Sequence, residues 1–130
     1  MGIERDFIMR QLMMLFNFLQ KIMALRKKGD NEEAEESIQE FYAALKIEGD
    51  LTQFSIEELI VFLEEKKKLS IDHLEIVAMV LKEQGELCQN VAMKLNYFSK
   101  AYFILQKVEL NSTSFSVDRQ LKLAELKELI

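Results

Sequence analysis

Residues Ile3 to Lys28 read IERDFIMRQLMMLFNFLQKIMALRKK. This is the longest strongly apolar stretch of the chain, and it predicts one helix of about seven turns. Its apolar residues do not form one stripe. At 100° per residue, Ile8, Leu12, Leu15, Phe16, Leu19, Ile22 and Met23 share a face centred on Leu12, Leu15 and Leu19. Phe7, Met14, Phe18 and Leu25 form a second face, more than a quarter turn away. One apolar face needs one neighbour, and two faces need two.

The rest of the chain favours helices as well. It has 130 residues, no proline and four glycines, and 49% of it is hydrophobic. That suits a single domain over 1–130 with one core. An all-β chain of this length would carry far more turn residues. The net charge of −5 argues against a nucleic-acid backbone as partner, which requires a basic face. The one cysteine, Cys88, excludes an internal disulfide and points to a reducing compartment. The longest uncharged run of the first helix, Gln11 to Gln20, is half of the about 20 residues that span a bilayer. Glu4 and Asp6 stand where a signal peptide carries basic residues. The expectation is a cytoplasmic protein without a membrane span.

Helix boundaries follow from capping chemistry. Arg26-Lys27-Lys28 before Gly29 suits a helix C-terminus. Asp30 with Glu33 predicts a capping box for a second helix, with Ala34, Ile38, Phe41, Tyr42 and Leu45 inward and a stop at Gly49. Ser55 with Glu58 starts a third helix reaching about Lys68, and Phe54 and Leu59 take the staple positions. Ser70 starts a fourth, whose inner face Leu74, Ala78, Leu81, Gly85, Cys88 and Ala92 runs through Gly85. Glycine costs about 1 kcal/mol against alanine inside a helix, so close packing is expected there. A turn is predicted at residues 94–96. A fifth helix carries Phe98, Ala101, Leu105 and Val108, and a loop at residues 111–114 precedes a sixth from Val117 to Ile130. Six helices joined by short turns imply antiparallel neighbours.

The turn Gly29-Asp30-Asn31-Glu32-Glu33-Ala34 resembles that of a tetratricopeptide repeat, in which a small residue such as Ala34 lets two helices approach closely. Helices four and five echo it faintly. Gly85 takes a small-residue position, but Tyr97 and Ala101 exchange the usual sizes and no regular 34-residue period results. The chain also resembles, over nearly its full length, a small family of uncharacterised bacterial proteins with a TPR-like fold. The matching segments are Ile3 to Arg10, Leu81 to Leu87 and Phe115 to Arg119. That resemblance implies an all-α, TPR-like superhelix of helical hairpins. It implies no activity and supplies no catalytic residues.

Few residues invite chemistry. His73, the single histidine, falls in the first turn of the fourth helix and is expected on the surface, without the glutamate spacing of a di-iron site. Cys88 is expected as a buried small hydrophobe. The acidic face Glu32, Glu36 and Glu40 could bind a basic peptide or a cation, but it and the run Lys66-Lys67-Lys68 read more readily as solvated helix surface that matches helix dipoles. There is no phosphate loop, no Gly-x-Ser-x-Gly, no His-Glu-x-x-His and no Cys/His cluster. The expectation is a non-enzyme with no cofactor and no metal. The second stripe, Phe7, Met14, Phe18 and Leu25, has two readings: burial against another helix of the chain, or an exposed strip used by a partner protein or a second copy. A third, lying on a membrane, is opposed by the net acidic charge. The expected function is protein binding or self-association. The alternatives are a small-molecule binder or enzyme with a pocket between helices, and a purely structural homodimer.

Overall fold

The computed structural model describes the backbone of residues 2–130, and side chains from residue 4 onward. It is all-α. The helices are α1 (Gly2–Lys28), α2 (Asn31–Ala44), α3 (Ile56–Val61), α4 (Ile71–Leu87), α5 (Val91–Asn111) and α6 (Val117–Leu129). Two compact units divide the chain, residues 1–48 and residues 49–130.

The first unit is a helix hairpin. Gly29 supplies the left-handed backbone of the turn, with φ of 86°. Ala34 is fully buried, which lets α2 approach α1 closely. Leu15, Leu19 and Ile22 are buried on α1, and Ile38, Phe41 and Leu45 on and just after α2. Two boundary expectations change. Asp30 stands at the N-cap of α2, but its side chain makes no capping bond, so the predicted capping box is not formed. Helix α2 also stops at Ala44 and not at Gly49. Lys46 enters the left-handed region with φ of 57°, and the Ile47 N–H donates to the Tyr42 carbonyl at 2.9 Å. That early exit keeps both Leu45 and Ile47 buried, a gain that outweighs the strain of a left-handed lysine.

The second unit opens with a 3₁₀ turn at Leu51–Gln53, held by the Asp50 carboxylate accepting from the Thr52 N–H at 2.9 Å. The capping box of Ser55 and Glu58 is present in full. Helix α3 continues as a π-helical turn, Phe62–Lys66, and Lys68, two residues beyond it, turns the chain with φ of 54°. The Phe54 ring stacks on Phe62 at 4.8 Å. Ser70 starts α4 as predicted. From His73 to Glu83 this helix is buried at every position except Glu75, which makes it the core helix of the unit.

The predicted run of α4 through Cys88 and Ala92 is wrong. The helix ends at Leu87, Cys88 is extended, and Asn90 caps α5 by accepting from the Met93 N–H at 3.0 Å. The turn therefore lies at residues 88–90 and not at 94–96. Cys88 is half-buried at that cap, with its thiol 3.6 Å from the Asn90 carbonyl, and Ala92 is exposed on α5. Gly85 remains inside α4, and its predicted close contact is real. A Cβ there would lie 2.6 Å from the ring of Phe98. Phe98, Ala101, Ile104, Leu105 and Val108 form the buried face of α5, which packs against both α4 and α6. Ser116 caps α6 by accepting from the Arg119 N–H at 3.1 Å.

Candidate functional site

Helix α1 is about 40 Å long and α2 about 21 Å, at 1.5 Å per residue. The hairpin partner therefore reaches only the C-terminal half of α1. Burial follows this limit: every described residue from Glu4 to Arg10 is exposed, while Leu15, Leu19 and Ile22 are buried. Two residues assigned to the core face depart from it. Ile8 lies beyond the reach of α2, and Phe16, at the edge of the face, is 49% exposed.

The four residues of the second stripe divide in the same way. Phe7 is 68% exposed and Met14 42% exposed, whereas Phe18 and Leu25 are half-buried. Met9 and Met13 add to the bare apolar surface. An open groove of about 480 Å³ runs along this side of the helix, lined by Arg10, Met13, Met14, Asn17, Phe18 and Lys21. Its floor is thioether and phenyl, and two cations stand at its rim. Thioethers and rings with charged stems around them make a surface that buries apolar area while discriminating by charge. No His, Cys, Ser, Thr, Asp or Glu side chain lines the groove.

The other candidates resolve into structure. His73 is buried, against the expectation of a surface residue. Its Nδ1 lies 2.7 Å from the Ser70 hydroxyl and accepts from the Ser70 N–H at 3.3 Å, so the ring takes the place of the glutamate in a capping box. Burial holds its pKa below the ordinary value, with Asp72 opposing weakly. Glu32, Glu36 and Glu40 are exposed along α2. Lys66 and Lys68 are exposed, and Lys67 sits 5.7 Å above the Phe62 ring. Among the described residues no group of three His, Cys, Asp or Glu side chains could hold a metal ion. No helix of the described residues is long and apolar enough to cross a membrane.

The sequence did not reveal a set of buried charges in the second unit. Arg119 is buried, and its guanidinium donates from Nε to Glu109 at 2.7 Å, from Nη1 to Glu75 at 3.1 Å and from Nη2 to the Ser114 carbonyl at 2.8 Å. The hydrogen bond it donates to Glu109 raises its pKa most, with burial opposing and Glu75 adding to the rise. Lys82, also buried, meets Glu125 at 3.0 Å and Glu86 at 3.5 Å. Arg119 and Lys82 thereby tie α6 to α4, and Arg119 ties it to α5. Lys94 donates to the Gly85 carbonyl at 2.7 Å while lying 5.3 Å from the Phe98 ring, which satisfies the end of α4. Glu109 and Glu75 lie 10 and 44 residues from Arg119 in sequence, so no local pattern announces them. Arg119 and Lys82 each meet two carboxylates, which fits a structural latch better than a reactive site.

No family model, curated protein or solved structure matches the chain.

Proposed function

We propose that the protein is a TPR-like, protein-binding or self-associating module whose contact surface is the outer face of α1. The observation that carries this is the bare apolar strip on a helix that its hairpin partner covers over only half its length. Contiguous apolar surface of this kind, rimmed by charge, marks contact with protein. The TPR-like reading is supported by the Gly29 turn and the fully buried Ala34 of the α1–α2 hairpin. A helix or an extended segment laid on the strip would bury Phe7 and Met14, with Arg10 and Lys21 selecting charge at the rim.

The small-molecule alternative has weaker support. The groove has a volume usual for ligand sites, but it is open and lined by a single helix, where such sites enclose most of their ligand.

The test is Phe7→Asp combined with Met14→Asp. Both side chains are exposed, so the urea midpoint should stay within about 0.5 kcal/mol of wild type. Self-association, or capture of a partner from native cell extract, should be lost. Unchanged association in a folded double variant would overturn the assignment of this face.

A further inference from the structure

Resting on the reading of α1 as a protein-binding face, we infer that its occupant is a second copy of the chain, docked antiparallel along α1. On the outer side of α1, residues seven apart fall in two adjacent rows. Phe7, Met14 and Lys21 repeat at one position, and Glu4, Gln11 and Phe18 repeat at the other, four residues on from or three before each. That 3–4 spacing is the seam of a two-helix coiled coil, in which each seam residue of one helix meets one of the other.

The order of residue types along the seam selects the orientation. In a parallel pair Lys21 would face Lys21 and Glu4 would face Glu4 of the second copy, like charges in contact. An antiparallel pair in which facing residue numbers sum to 25 removes this conflict. Phe7 then meets Phe18 of the second copy, Met14 meets Gln11, and Lys21 meets Glu4. The two-fold axis makes each contact occur twice, as a self-complementary interface requires. Acid stands at one end of the seam and base at the other, with Phe7, Met14 and Phe18 between them and Gln11 the one polar side chain among these. Of the six seam residues, Glu4, Phe7, Met14 and Lys21 are exposed, and Gln11 and Phe18 are half-buried. The seam covers about 27 Å of α1, centred on the part that α2 does not reach. Sliding the pair by one heptad, to a sum of 32, would pair Glu4 with Lys28, Phe7 with Leu25 and Met14 with Phe18, but would set Lys21 against Gln11 with no carboxylate. Two and a half heptads is short of the three to four that sustain a stable coiled coil, so the dimer should be reversible with concentration.

The experiment is sedimentation velocity of the full chain across a concentration series, with Glu4→Lys, Lys21→Glu and both together. Wild type should pass from monomer to dimer as concentration rises. Each single reversal should weaken the dimer about tenfold or more, because two attractive contacts become two repulsive ones. The double reversal should restore it. A wild-type chain that stays monomeric at every concentration overturns the second copy. A dimer indifferent to the reversals, or one in which Glu4→Lys is rescued by Lys28→Glu and not by Lys21→Glu, overturns the register. The broader reading fails separately. It survives a monomeric wild type if Phe7→Asp with Met14→Asp abolishes capture of another protein, and it falls if that double variant changes neither association nor capture.

Discussion

Gly85 and His73 show how single residues carry structural information that their immediate neighbours in sequence only partly disclose. The register of α4 passing through Gly85 announced a packing role, and the ring of Phe98 supplies it. Gly85→Ala should therefore destabilise the protein by about 1–2 kcal/mol in urea unfolding. Overpacking of about 1–3 kcal/mol exceeds the roughly 1 kcal/mol gained in helix propensity. Adding Phe98→Leu should recover part of the loss by removing the ring atoms that a new Cβ meets. His73 was misplaced because a histidine in a first turn is usually solvated. Here the ring replaces the capping glutamate and accepts from the Ser70 N–H, which only neutral Nδ1 can do. Its folded pKa lies below 6.5, so the unfolded chain binds the extra proton first. This residue's contribution to stability is complete above pH 6.5 and is lost as pH falls through the folded value. His73→Gln should flatten the stability–pH curve in that window, as read by urea midpoints at successive pH values. Glu58, whose pKa the Ser55 backbone bond lowers, acts in the more acidic window below 4.5.

At the scale of elements, length and ends decided more than composition. The 27-residue α1 against the 14-residue α2 leaves half a helix without its hairpin neighbour, and this sets which apolar residues are bare. The length of α1 follows from local signals, but the early stop of α2 does not. Lys46 in the left-handed region is stabilised by burial of Leu45 and Ile47, a tertiary effect. The turn at residues 88–90 had a legible marker in Asn90, a good cap, which the continuing apolar register of α4 overrode. Helix α6 has few buried residues, Arg119 and Leu126, so its attachment depends heavily on the guanidinium. Arg119→Ala should lower stability by about 2 kcal/mol, measured by urea midpoint. That is less than the about 3–5 kcal/mol of a fully buried broken pair, because Glu75 and Glu109 keep some access to water. Arg119→Lys should fall between wild type and alanine, since it keeps the charge and loses the fork.

For the molecule as a whole, charge is unevenly spread. Helix α1 carries six basic and two acidic residues, and α2 carries five acidic and no basic ones. The total is −5 and the isoelectric point is about 5.0. Solubility should pass through a minimum near pH 5, where net repulsion vanishes, and light scattering against pH at low ionic strength measures it. The bare strip on α1 sharpens this expectation, because apolar contact between copies meets least opposition there.

The sequence by itself determined the helical class, the six helices, most of their starts and the two apolar faces of α1. These depend on periodicity and on capping groups within a few residues of one another, which any reader of the chain can align. Tertiary structure alone decided which of the apolar faces is covered and how far along the helix. It also decided where α2 and α4 stop, and which carboxylates hold Arg119 and Lys82. Those outcomes depend on the reach of one helix along another and on partners tens of residues away. The stretch from Ile3 to Lys28 specified two faces, and the shorter length of α2 left the outer part of them bare.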